Sequence, residues 1–131
     1  MDLSKYFQEH TGTGVLATAA DDGKVNTAIY ARPHVFDNKT VAFIMRDRLS
    51  RQNLLKNGSA NYLFIESGAG YKGVRLGLTM IDESTDPELI ASLSKRLLAG
   101  KEYSANEARF AVRFSVDKGL ALVGGEEIIF E

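Results

Sequence analysis

The chain has 131 residues, of which 44% are hydrophobic and 25% charged, and its formal net charge is −1. That length supports one domain, residues 1–131, with a modest core, and that charge supplies no whole-protein field to attract DNA, RNA or anionic lipid. Without cysteine, and with His10 and His34 as its two histidines, the chain excludes disulfides, thiolate nucleophiles and histidine-rich metal sites.

The opening Met-Asp-Leu-Ser-Lys-Tyr-Phe has no signal-peptide pattern, and no apolar run nears the ~20 residues of a membrane span, so a cytoplasmic, membrane-free protein is expected. Leu3, Tyr6 and Phe7 recur at helical spacing and predict a helix over residues 2–10, ended by Thr11-Gly-Thr-Gly14. A strand over residues 15–20 follows, then a hairpin turn at Asp21-Asp22-Gly23. From Lys24 the pattern alternates: Val25, Thr27, Ile29 and Ala31 face one way, Asn26, Ala28, Tyr30 and Arg32 the other. Pro33 ends that strand or kinks it at a sheet edge.

Asp37-Asn38-Lys39 turns into a strand over residues 40–45. Ser50 then reads as the N-cap of a short helix, with Asn53 at its third position, Leu49 stapled to Leu54, and Asn57-Gly58 as the stop. Strands over residues 61–66 and 74–80 flank a flexible Ser67-Gly-Ala-Gly70 link. Asp86-Pro87-Glu88 opens a helix with Leu89, Ile90, Leu93 and Leu97 on its buried face and Gly100 as its close. Residues 101–107 read as a polar loop, and Phe110, Val112, Phe114 and Val116 as a strand. Asp117-Lys118-Gly119 reads as a turn into a strand over 120–123, with a last short pairing over 128–130. Six or seven strands joined by tight turns are antiparallel neighbours. The expected fold is therefore mainly β with inserted helices, a small antiparallel barrel.

The strongest functional signal is the arginine cluster Arg46, Arg48 and Arg51, set where a strand ends and a helix begins. Backbone N–H groups at a helix start favour negative charge, and guanidiniums beside them make a phosphate-sized anion site. A solvated surface turn is the plain alternative, and Asp47 opposes an anion unless it pairs with an arginine. Asn26, Tyr30 and Arg32 lie near that site if their strand pairs with residues 41–45. A planar ligand lying along that strand would meet backbone amides together with Asn26 and Thr27. Tyr71-Lys72-Gly73 reads as a hairpin corner or a pocket wall, and His34 as a surface residue or an acid–base group. Asp21-Asp22, Asp82-Glu83 and Glu126-Glu127 are adjacent pairs whose side chains point apart in extended chain, so none is an acid/base dyad.

Taken together, Gly14-Val-Leu-Ala-Thr-Ala19, Asp22-Gly-Lys-Val-Asn-Thr-Ala28, Phe43-Ile-Met-Arg46 and Ser50-Arg-Gln-Asn53-Leu54 resemble the FMN-binding split-barrel proteins, the pyridoxamine 5′-phosphate oxidase-like family. The likeness extends over nearly the whole chain. It implies a split barrel binding FMN, with the flavin ring along Asn26, Thr27, Ala28 and Ile29. The phosphate segment would run through Met45, Arg46, Arg48, Leu49 and Ser50, with Arg51 or Asn53 as further contacts. It also implies a homodimer with the flavin between subunits, and redox chemistry with a small-molecule substrate or a redox partner. A non-catalytic flavin-binding or electron-transfer protein is the alternative, and related barrels bind haem or a deazaflavin. Leu49 stands where small relatives often carry lysine, so Arg46 or Arg48 takes over that charge.

Overall fold

Alternating burial along extended segments builds one sheet, and three helices close over its ends. The computed structural model describes residues 1–98 and 108–131. In chain order these form α1 (Leu3–Glu9), β1 (Gly12–Ala19), β2 (Val25–Ile29), β3 (His34–Asp37), β4 (Thr40–Arg46) and α2 (Leu49–Lys56). There follow β5 (Ser59–Glu66), β6 (Gly73–Ser84), α3 (Pro87–Leu98), β7 (Arg109–Ala121) and β8 (Glu127–Ile128). The sheet runs β2-β1-β5-β6-β7-β4-β3, with β8 added on β7 and every ladder antiparallel. None of the described helices is long and apolar enough to cross a membrane.

The sheet curls without closing. Its two terminal strands, β2 and β3, are joined by the chain itself at residues 30–33 and not by a ladder. β3 covers only the start of β4, pairing His34 with Ala42 and Asp37 with Thr40, whereas β7 follows β4 from Thr40 to Arg46. Among the described residues, no strand runs beside β4 on the β3 side past Ala42, and none along the outer edge of β2. This is the split in the barrel.

Leu16, Val41, Tyr62, Phe64, Leu76 and Phe114 fill the interior, each with 0% of its surface exposed. α1 plugs one end with Leu3, Tyr6 and Phe7, and Phe7 packs edge-on to Phe64 with ring centres 5.3 Å apart. Asp2 caps this helix by accepting the Lys5 N–H at 2.9 Å.

Three sequence expectations change. β1 begins at Gly12 and not at residue 15, because Gly12 and Gly14 pair across from Glu66 and Phe64. Those glycines are ladder residues, and a Cβ at Gly14 would collide with the Tyr62 hydroxyl and lie 2.6 Å from the Tyr30 carbonyl oxygen. Asp117-Lys118-Gly119 is no turn. β6 pairs on both sides of it, Leu78 with Val116 and Gly77 with Lys118, leaving Asp117 as the extra residue of a β-bulge within one continuous strand. The hydroxyls of Thr79 and Ser115 donate to the Asp117 carboxylate at 2.5 and 2.8 Å. The last pairing is Glu127–Ile128, slightly earlier than expected. In α3, Ile90 is buried and Leu89 and Leu93 half-buried, while the expectations for the Leu97 side chain, Gly100 and residues 101–107 fall outside what the structure describes.

Gly14→Ala should destabilise the fold by about 1–3 kcal/mol, because the core at Tyr62 has no room to yield. Chemical denaturation measures this; an unchanged midpoint would show that the strand relaxes around the methyl group.

Candidate functional site

The split in the barrel opens into a cleft of about 480 Å³, within the ~300–1,000 Å³ range of small-molecule sites. One wall is Asn26, Thr27, Ala28, Ile29 and Tyr30 of β2 and its exit; the other is Ile44 and Arg46 of β4, with Arg48, Leu49 and Ser50 at the start of α2. β2 reaches this place without pairing to β4, since among the described residues its only ladder is with β1. Curling of the sheet brings the two walls together instead.

Alternation along β4 decides which side chains see the cleft. Ile44 and Arg46 face it, while Met45, 1% exposed, belongs to the core and does not line it. Ile44 is a lining residue outside the predicted set, although the parity of β4 was a usable signal for it; Tyr30, expected near the site only if its strand paired with β4, lines it without that pairing.

The helix start differs from the capping pattern expected. α2 begins at Leu49, with Arg48 in the N-cap position and in extended conformation, and no side chain caps the first turn. Ser50 is the second helical residue, buried, and lines the cleft together with Tyr30. Placed inside the helix, it leaves the first-turn amides without a capping hydroxyl. Leu49 does not staple onto Leu54. Leu54 is in the core, whereas Leu49 is 52% exposed at the mouth of the cleft.

Arg51 and Asn53 serve the scaffold and do not line the cleft. Arg51 donates to both carboxylate oxygens of Glu83, at 2.9 and 2.7 Å, and to Asp47 at 2.9 Å. Its guanidinium also lies 3.6 Å from the centre of the Phe110 ring. Asp47 is thereby held by an arginine, the condition under which its charge does not oppose an anion nearby. Asn53, buried beneath α2, donates to the Thr18 hydroxyl at 3.1 Å and ties the helix to β1.

Tyr30 joins the two walls. Its N–H donates to the Gly14 carbonyl at 3.0 Å, and its own carbonyl accepts the Tyr62 hydroxyl at 3.1 Å. Its ring packs edge-on to Phe43 at 5.8 Å. Burial holds its phenol above the ordinary tyrosine range, against the opposing pull of Ser50 and Arg48. It is protonated at neutral pH.

Other sequence candidates lie elsewhere. Arg32 donates to the carbonyls of Phe7 and His10 at 2.5 and 3.0 Å, closing the end of α1. His34 lines a separate cavity of about 220 Å³ with Phe7, Pro33 and Leu93. Tyr71, 84% exposed, stands at the β5–β6 hairpin corner.

No family model and no curated protein matches the sequence. Solved structures do match the fold. An FMN-binding protein from Syntrophomonas wolfei superposes with a TM-score of 0.78 at 16% identity, covering 95% of this chain and 86% of that one. A Clostridium acetobutylicum protein related to general stress protein 26 of B. subtilis, of the pyridoxinephosphate oxidase family, gives 0.68 at 16% identity over 98% and 91%. The chain has the fold of the pyridoxamine 5′-phosphate oxidase-like split barrels. An F420 reductase shares this split-barrel fold at TM-score 0.66 and 20% identity, over 88% of this chain and 94% of that one.

In this split barrel, the Arg51 clasp sets α2 against β6 and β7. Arg51→Ala should cost about 1–3 kcal/mol, since it leaves the half-buried Glu83 carboxylate without its bidentate partner. Glu83→Gln, which keeps one acceptor and leaves the Phe110 stacking intact, should cost less in the same denaturation experiment; the reverse order would show that the shielded Arg51 charge left without its carboxylate is the costlier loss.

Proposed function

We propose that this chain binds FMN in the cleft and acts as a small flavin-dependent oxidoreductase. The supporting observation is the asymmetry of the cleft, with a strand edge along one side and two arginines at a helix start on the other. The ring wall fits a planar heterocycle for a definite reason. Residues of an antiparallel strand direct their main-chain groups to alternate sides, and Tyr30 directs its N–H into the β1 ladder. Thr27 and Ile29 therefore turn their N–H and C=O groups outward, matching the alternating donors and acceptors of a flavin's pyrimidine edge. Arg46, Arg48, Ser50 and the first-turn amides of α2 fit the phosphate.

When bound, the flavin supplies the hydride- and electron-accepting centre. The protein's part is to orient the ring along β2, hold the phosphate and leave one face open to a reaction partner. The lining carries only the hydroxyls of Thr27, Tyr30 and Ser50 as side-chain proton donors besides its amide and guanidinium groups; His, Asp and Glu are missing from the cleft among the described residues. That scarcity favours a second reading, a non-catalytic flavin carrier or electron-transfer protein. The same cationic end suits a deazaflavin phosphodiester, so F420 belongs in the first binding trial beside FMN.

The proposal includes a homodimer. On the outer face of the sheet, Ile29, Val15 and Leu63 stand in one register row and Thr27, Ala17 and Asn61 in the next. Val25 and Ile29 are each 71% exposed, an apolar edge that a second copy would cover.

Arg46→Ala combined with Arg48→Ala should weaken FMN at least tenfold while leaving riboflavin nearly unchanged, read by quenching of flavin fluorescence. Equal losses for both ligands would remove the phosphate from this end. Ile29→Asp should shift the protein to monomers in sedimentation analysis and weaken FMN in parallel; a variant that stays dimeric would place the subunit contact on another face. Turnover with NADPH or a small oxidisable substrate separates the oxidoreductase from the carrier.

A further inference from the structure

α1 is fastened to the chain on both sides of β3. At its start, the Leu3 N–H donates at 2.8 Å to Oδ1 of Asn38, in the turn after β3. At its end, a single guanidinium nitrogen of Arg32, in the link before β3, donates to the carbonyls of Phe7 and His10 at 2.5 and 3.0 Å. The last carbonyls of a helix lack partners within it, and positive charge is favoured beside them. A helix of seven residues is marginal on its own, so α1 depends on such fastenings.

The same link carries one wall of the cleft. Tyr30 lines the cleft two residues before Arg32, with its N–H on the Gly14 carbonyl at 3.0 Å and its carbonyl under the Tyr62 hydroxyl at 3.1 Å. Pro33, fully buried, has no N–H to offer a neighbouring strand. Continued in its register, β3 would set Pro33 opposite Phe43 and Arg32 opposite Ile44, which lines the cleft. The Arg32 side chain turns to α1 instead, and pairing with β4 stops at His34.

We infer that Arg32 is a positioning residue that ties the cleft wall at Tyr30 to α1, so that ligand binding in the cleft and docking of α1 strengthen each other. The identity of the ligand rests on the FMN reading; the tie itself does not. No residue of α1 lines the cleft, so the coupling runs through the link and not through direct contact. When α1 leaves its place, Arg32 loses both acceptors and Tyr30 is held from the β1 and β5 side alone. Reciprocity follows: whatever steadies Tyr30 from the cleft also steadies the end of α1.

Arg32→Met removes both hydrogen bonds to α1 and alters no residue of the cleft lining. FMN and riboflavin affinities, read by flavin fluorescence, should each fall about three- to tenfold, the effect of about one lost hydrogen bond. A loss confined to FMN would make Arg32 a partner of the phosphate and overturn the tie. Because one nitrogen makes both bonds, an ammonium can stand in for it, and Arg32→Lys should lie nearer the unaltered protein than Arg32→Met does. Equal losses in the two variants overturn the proposal. Amide hydrogen exchange reads the coupling directly. In the unaltered protein, saturating FMN should slow exchange of the His10 amide, which donates to the Tyr6 carbonyl, about three- to tenfold. In Arg32→Met at the same flavin occupancy that slowing should vanish; its persistence would show a general stabilisation in place of the tie. With no flavin present, Arg32→Met should quicken exchange at His10 and Tyr30 together. Quickening at His10 alone overturns the tie whatever the flavin does. If both quicken while the unaltered protein binds neither flavin, the tie stands and the FMN reading falls.

Discussion

The whole arrangement depends on a ladder that is missing. A sheet of this length closes on itself when its end strands pair; here β2 and β3 are consecutive in the chain, joined by residues 30–33, yet among the described residues no ladder links them. β3 then begins only at His34, opposite Ala42, and so covers Thr40–Ala42 and leaves the rest of β4 open on that side. What remains is a gap bordered by two strand edges, with main-chain groups available on both sides. The cleft is therefore a property of the topology. Side chains only decide what it holds.

Charge is handled locally in the same economical way. A net charge of −1 leaves no general attraction for anions, so on the proposed reading the phosphate is held by short-range placement. Arg51 is drawn off by Glu83 and Asp47, a pairing that reaches from the start of α2 to the far end of β6. Asp47 is thus occupied by Arg51, and on the proposed reading Arg46 and Arg48 hold the phosphate. Because Arg51 and Glu83 are mostly shielded from water, their bidentate contact contributes more than an exposed ion pair of ~0.2–1 kcal/mol. Asp82 and Arg113, a few residues away and much more exposed, are the ordinary surface case.

The sequence made much of this legible, and its failures have identifiable causes. The arginine cluster, the strand before it, the helix after it and the alternation of β2 are all short-range patterns, and each was readable. Ser50 was misplaced because a serine near a helix start satisfies the capping pattern in any chain, whereas α2 starts at Leu49 and Ser50 is buried, lining the cleft with Tyr30, 20 residues away. Arg51 was placed with the other arginines because its partner Glu83 is 32 residues distant. Asp117-Lys118-Gly119 has turn composition, yet pairing with β6 on both sides turns it into a bulge. In every case a local preference yielded to a long-range contact, which composition and spacing do not encode.

The same logic bears on why the cleft's open wall survives in solution. A strand edge carrying Val25 and Ile29 with most of their surface exposed, and no charge between them, is the kind of template that invites other strands to pair. Proteins usually blunt such an edge with lysine, proline or a bulge. Here Lys24 precedes β2 and Pro33 follows its exit, so the protection stops at the two ends of the strand and leaves its middle bare. An edge left open only where it also lines a cavity is economical if a planar ligand takes up the main-chain groups and a second copy covers the side chains. On the proposed reading the cofactor and the dimer then meet a single physical need, and losing either would expose the same few residues.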